Sequence, residues 1–190
     1  MAKFDLSRSS SFAASAAALC LGFQALTTAP AAAGGLWIAE FKAGVLAHDV
    51  PDLWSGFQRE PDAVDINLEV MFRPNIPLLI GGIYPAIGAS ISTSGATSHV
   101  YADARWQVET PVGLFFAIGL GVAVHDGELE PVLADRKALG SRALFHIPAE
   151  VGLRLGDNSL SVYFEHISNG EFADFNEGLD RLGVRYGYRF

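Results

Sequence analysis

The chain has 190 residues, half of them hydrophobic and only 18% charged, with 13 basic and 21 acidic side chains and a net charge of −8. This length predicts one domain, and the negative charge argues against a nucleic-acid partner. Beyond the N-terminus no apolar run reaches the roughly 18 residues of a helical membrane span. What remains is either a rich soluble core or a transmembrane barrel, whose apolar residues fall at every second position.

Residues 1–33 read as a signal peptide. Lys3 and Arg8 make a weakly basic start, residues 12–26 are rich in Ala, Leu and Phe, and Ala31, Ala32 and Ala33 supply the small residues of a cleavage site. Cleavage is expected after Ala33, leaving residues 34–190 as the barrel domain. The sole cysteine, Cys20, lies in the apolar stretch, so the processed chain has no disulfide or thiol chemistry. It keeps 11 basic and 20 acidic side chains, a net of −9.

From Gly34 onward the dominant period is two, the mark of strands. In 37–48 the apolar set is Trp37, Ala39, Phe41, Ala43, Val45 and Ala47, and Glu40 and Lys42 lie on the other face. Val64, Ile66, Leu68, Val70 and Phe72 alternate with Asp65, Asn67, Glu69 and Arg73. Residues 80–93 are Gly-rich and less regular. Val100 to Val108 alternates cleanly against Asp103, Arg105 and Gln107. In 112–124 one face is Leu114, Phe116, Ile118, Leu120 and Val122, and the other is small, with Ala117, Gly119 and Gly121. Segments 143–155, 158–168 and 179–190 complete eight predicted strands. Each apolar face is nearly free of charge, while the opposite face carries both signs. The pattern predicts an all-β fold: an eight-stranded antiparallel transmembrane β-barrel of the bacterial outer membrane, its exterior facing lipid and its narrow interior pairing charges. Connections agree. Turns are expected at Pro74-Asn75-Ile76-Pro77, Thr110-Pro111 and Gly156-Asp157-Asn158, with longer loops at 49–62, 126–140 and 169–178. The terminal Phe190 resembles the assembly signal of outer-membrane barrels.

The last hairpin carries candidate chemistry. His166 and Ser168 continue the lipid-facing parity of Leu160, Val162 and Phe164, and Asp180 continues that of Leu182 and Val184. A hairpin register summing to 346–348 would set Asp180 opposite His166 or Ser168. An imidazole can take the proton of a serine hydroxyl while a carboxylate orients it. Asn169, Gly170 and the amides that follow are candidates for holding an oxyanion, and Asn176 and Gly178 for shaping the loop. Spacing alone leaves this reading level with another, a polar collar where strands leave the membrane.

The stretch HISNGEFADFNEGLD resembles the signature of the outer-membrane lipid A 3-O-deacylases, the PagL family: H-x-S-N, a loop with N-x-G, and an acid two positions beyond the Gly. Here these are His166, Ser168, Asn169, Asn176, Gly178 and Asp180. The resemblance implies Ser168 as nucleophile, His166 as base and Asp180 as acidic partner. It also implies lipid A, or lipopolysaccharide, as substrate in outer-membrane lipid, losing its 3-O-linked hydroxyacyl chain without metal or cofactor. The best-known members carry Glu at the acidic position. The shorter Asp180 is expected to need a longer hydrogen bond or a strand shift. A homodimer is left open. The alternatives are a structural or adhesive barrel without catalysis and an acyltransferase.

His48, His99, His125 and His146 lie on separate strands without ligand spacing and are expected to be hydrogen-bonded, with no metal. Glu165 has interior parity and is expected to pair with Arg181 or Arg185. Trp37, Trp54 and Trp106 read as interfacial or packing aromatics. Arg136, Lys137 and Arg142 read as solvated loop residues.

Overall fold

The computed structural model describes residues 37–73 and 75–190. The expected signal peptide and its cleavage site, with Cys20, lie outside the described residues. The strands are β1 (Ile38–Ala47), β2 (Val64–Phe72), β3 (Ile76–Leu78), β4 (Gly81–Ser92), β5 (His99–Glu109), β6 (Leu114–His125), β7 (Ala143–Leu155), β8 (Asn158–Ser168) and β9 (Leu179–Arg189). Every pairing is antiparallel. The sheet closes because β1 pairs with β9 and β2 pairs with β4. Eight strands therefore form the barrel wall, as the alternation predicts.

β3 continues the line of β2 along the same edge of β4. Residue numbers of β2–β4 partners sum to 157, as in Ile66 and Ile91; those of β3–β4 sum to 159, as in Ile76 and Ile83. The wall thus absorbs two extra residues between β2 and β3, as a bulge does. The tight turn falls at Leu79-Ile80, not at the expected 74–77. Leu79 has φ of 53°, which costs a branched residue without Gly's freedom. Leu79 and Ile80 are 88% and 83% exposed.

Parity assigns the two sides of the wall. Along β6, Leu114, Phe116, Ile118, Leu120, Val122 and Val124 are exposed, and Phe115, Ala117 and Ala123 are buried. The interior is filled by side chains, as expected for a barrel of this strand number. Arg185 Nη2 donates to Glu150 at 2.5 Å and to Glu69 at 3.3 Å. Arg105 Nη2 donates to Glu69 at 2.6 Å and to Asp103 at 2.8 Å, and Lys42 Nζ donates to Glu150 at 2.8 Å. The Arg185 guanidinium lies 3.6 Å from the Tyr163 ring centroid. Taking so many charges out of water is costly unless each is paired, and here cations and carboxylates interleave. Gly119 is needed for this packing: a Cβ there would come within 2.8 Å of Arg105 Nε and 2.9 Å of the Pro148 ring.

Near the long-loop end the interior also holds an apolar cluster. Tyr101, Ala123, Leu139, Leu144, Ile167 and Leu179 form one buried cluster. Ile167 and Leu179 are direct cross-strand partners. Because successive side chains alternate faces, driving these two inward turns His166, Ser168 and Asp180 outward.

Four loops cover this end as a stitched cap. Glu60 accepts from the Thr97 amide at 2.8 Å and Thr97 Oγ1 at 2.6 Å, and its Oε2 lies 3.0 Å from His48 Nε2. Lys137, expected to be solvated, is fully buried; its Nζ meets Asp49 Oδ1 at 2.7 Å and donates to the Phe57 carbonyl at 2.7 Å. The Arg142 and Arg136 guanidinium groups donate to loop carbonyls of Gly127 and Gly95. Of the three cations read as solvated, Lys137 is the one this network corrects; Arg136 stays partly exposed and Arg142 exposed. Each finds loop acceptors that its own local sequence does not reveal.

Candidate active site

The site starts from the β8–β9 register. Partner numbers sum to 346, so His166 faces Asp180 directly. His166 Nδ1 and Asp180 Oδ1 are 2.6 Å apart, a charge-assisted contact. No lengthening or strand shift accompanies the shorter acid. Residues directly opposite in an antiparallel pair are close enough for a short side chain to bridge.

Ser168 lies two residues from His166 on the same face and is half-buried. Its cross-strand partner on β7 is Phe145. Among the described residues Ser168 Oγ has no hydrogen-bond partner, and neither does His166 Nε2. Because Asp180 accepts from Nδ1–H, the lone pair lies on Nε2, the nitrogen that can receive a proton.

The loop after Ser168 is built by the predicted motif. Asn169 N–H donates to Asn176 Oδ1 at 2.9 Å, and Asn169 Nδ2 donates to the Leu139 carbonyl at 2.9 Å and the Phe175 carbonyl at 2.5 Å. Asn169 and Asn176 thus lock the loop, and Asn169's donors are spent there. Among the candidates for an oxyanion this leaves the amides of Gly170 and Glu171, both in left-handed backbone with φ of 64° and 66° and without acceptors among the described residues. Gly178 has φ of 60°, and a Cβ there would lie 3.0 Å from His166 Cε1. Glycine serves both the turn and the space for the imidazole.

The outward patch is not bare. His166 is 4% exposed and Asp180 is fully covered. The cover is the β1–β2 loop. The Trp54 indole stacks on the His166 imidazole, centroids 4.6 Å apart and planes 9° from parallel. The Ser55 amide donates to Asp180 Oδ2 at 2.6 Å. Reading Trp54 as an interfacial or packing aromatic missed this contact, which has no periodic signal. A Trp-Ser-Gly tip in a long loop was the available hint.

Other candidates fall elsewhere. Glu165 faces the interior, where Arg181 Nη1 lies 3.5 Å away. His99, His146 and Glu165 bring ligand atoms within 4.8 Å of one another. Arg181 donates to His99 Nδ1 at 2.9 Å, which places the His99 proton on Nε2, toward Glu165. A metal would need that lone pair, so the donor set fits hydrogen bonding better than coordination.

A family model for lipid A 3-O-deacylase (PagL) matches residues 81–189, more than half of the chain. The chain belongs to the PagL family. Among solved structures, the outer membrane enzyme PagL is similar at 17% identity and a TM-score of 0.60, covering 80% of this chain and 100% of that one. Neisserial surface protein A (NspA) is similar at 10% identity and a TM-score of 0.50, covering 80% and 96%. At these identities the two structures speak to the outer-membrane barrel fold alone. No curated protein sequence matches. Within the PagL-family segment lie Ser168, His166 and Asp180; the loop bearing Trp54 and Ser55 precedes it.

Proposed function

We propose that this protein sits in the bacterial outer membrane and hydrolyses the ester that joins the 3-O-linked hydroxyacyl chain to lipid A. The observation that carries the reading is the His166–Asp180 pair at 2.6 Å on the outward side of the wall, two residues from Ser168. Family membership supports lipid A as the substrate class. Polar groups that break a lipid-facing row are costly and call for a function.

Ser168 Oγ attacks the ester carbonyl as His166 Nε2 takes its proton. Asp180 keeps the imidazole in the right tautomer and stabilises its cation. The negative oxygen of the tetrahedral intermediate is met by the amides of Gly170 and Glu171. His166 then gives its proton to the departing sugar oxygen, leaving an acyl-serine. Water, activated by the same imidazole, releases the hydroxy fatty acid. This chemistry requires neither metal nor cofactor.

Mass spectrometry of lipid A from cells expressing the intact chain, Ser168→Ala and His166→Ala tests it. Loss of one hydroxyacyl chain with the intact protein only is expected. An unchanged lipid A profile with all three barrels folded in the membrane would return the protein to a structural or adhesive role.

A further inference from the structure

We propose that the β1–β2 loop is part of the hydrolytic machinery, with Trp54 a positioning residue that, with the Ser55 amide, holds the His166 imidazole and Asp180 carboxylate in working orientation. The inference rests on the reading of Ser168, His166 and Asp180 as a hydrolytic triad.

Three contacts converge. The indole covers one face of the imidazole at 4.6 Å, and Gly178 borders the ring, so close that a Cβ there would be 3.0 Å from Cε1. Rotation of the ring out of line is thereby restricted. When the imidazole takes the serine proton it becomes a cation facing an aromatic surface, which favours the charged form. The carboxylate is fixed at both oxygens, with Oδ1 toward His166 Nδ1 and Oδ2 accepting from Ser55 N–H at 2.6 Å. Asp180 is one methylene shorter than the Glu of the best-known relatives, and the Ser55 amide occupies the space beyond its outer oxygen.

The loop is itself held. Val50 N–H donates to the Asp180 carbonyl at 3.0 Å. Buried Lys137 Nζ donates to Ser55 Oγ at 3.1 Å and to the Phe57 carbonyl at 2.7 Å. Trp54 is nevertheless 61% exposed, so its truncation leaves the barrel interior untouched.

The test uses the purified, folded full barrel, with folding checked by heat-modifiable gel migration. Two rates are read: labelling of Ser168 by a fluorophosphonate ester, and steady-state release of hydroxy fatty acid from lipid A. Trp54→Ala is expected to lower the labelling rate and kcat about 10- to 100-fold, since small misplacements of a catalytic group have effects of that order. KM should move less than about threefold, because the loss lies in the chemical step. Trp54→Leu, which keeps bulk but not the ring plane, should behave like Trp54→Ala. Trp54→Phe should recover most of both rates. Wild-type labelling in Trp54→Ala, or a loss confined to KM, would overturn the inference. A wild-type protein that labels at Ser168 yet releases no fatty acid defeats the lipid A reading alone, and the loop is then judged on labelling. No labelling of wild-type Ser168 defeats both.

Discussion

Three histidines among the described residues sit beside an aspartate, and two of them, His146 and His166, illustrate opposite uses of one pair. His146, on the inner face of β7, has both ring nitrogens engaged: Nδ1 lies 2.9 Å from Asp103 Oδ1, and Nε2 lies 3.2 Å from Glu165. Tyr101 stacks on it at 4.1 Å. His166, on the outer face of β8, has only Nδ1 engaged, by Asp180. Its Nε2 is left over, on the side of the strand that carries Ser168. The first pair consumes all of its hydrogen-bonding capacity in holding the interior together. The second keeps one lone pair available, which a general base requires. Wall side, more than residue type, separates the structural pair from the one proposed to do chemistry.

The comparison breaks most sharply at the serine. Ser168→Ala is expected to lower lipid A deacylation by about 10⁴-fold or more, because the triad acts as a unit, while heat-modifiable migration stays that of wild type. The counterpart substitution inside, His146→Gln, should leave the rate of Ser168 labelling near wild type. Asp180→Asn keeps the shape but favours the wrong imidazole tautomer; a fall in kcat of about 10²- to 10⁴-fold is expected. Asp180→Glu sharpens the point, since the added methylene meets the Ser55 amide. Its kcat is expected to fall by about tenfold or more, and an increase would show that the outer oxygen has room. For His146→Gln the expected effect is on stability: about 1–3 kcal/mol in urea unfolding of the barrel in detergent, the cost of leaving buried polar groups short of partners.

The smallest effect concerns the cap. Burial alone would raise the Glu60 carboxyl, but hydrogen bonds from His48 and Thr97 outweigh it and hold the group at about 2, against an ordinary 4.5. Burial likewise acts to lower His48, yet its contacts with Asp65 and Glu60 raise it above 6.5. The depressed acid contributes stability that is full above pH 4.5 and is lost as pH falls toward 2. The raised histidine contributes stability that is full below pH 6.5 and is lost as pH rises through its folded value. The cap is therefore tightest between about 4.5 and 6.5. The Thr97 amide donates to Glu60, so its NMR shift should titrate near pH 2; a midpoint near 4.5 would show that the carboxylate is not held.

The wall was legible because alternation is a local signal that repeats along every strand. The same arithmetic placed Asp180 across from His166 or Ser168, the register selecting His166, and turned Glu165 inward. Errors arose where position depends on distant chain. Pro74, Asn75 and Pro77 have turn chemistry, yet the turn forms at Leu79-Ile80, because pairing with β4 extends the wall by three more residues. Lys137 sits in a polar loop and looked solvated; Asp49, far away in sequence, makes its burial tolerable. Trp54 and Ser55 were missed for the same reason. A loop that docks by single contacts leaves no period to read, and its residue types are ordinary.

The filled interior has a bearing on the second substrate of the proposed reaction. Arg185, Glu150, Tyr163, Arg105 and Glu69 are all fully or almost fully buried across the middle of the barrel, so the lumen is no aqueous conduit. In the proposed reaction, water that cleaves an acyl-serine at the outward face would come down past the loops, from the same medium into which the sugar head group of lipid A would project. The acyl chain would meet the wall sideways from the lipid. Expression of the protein should accordingly leave the membrane's permeability to small solutes unchanged, even where lipid A is deacylated as proposed.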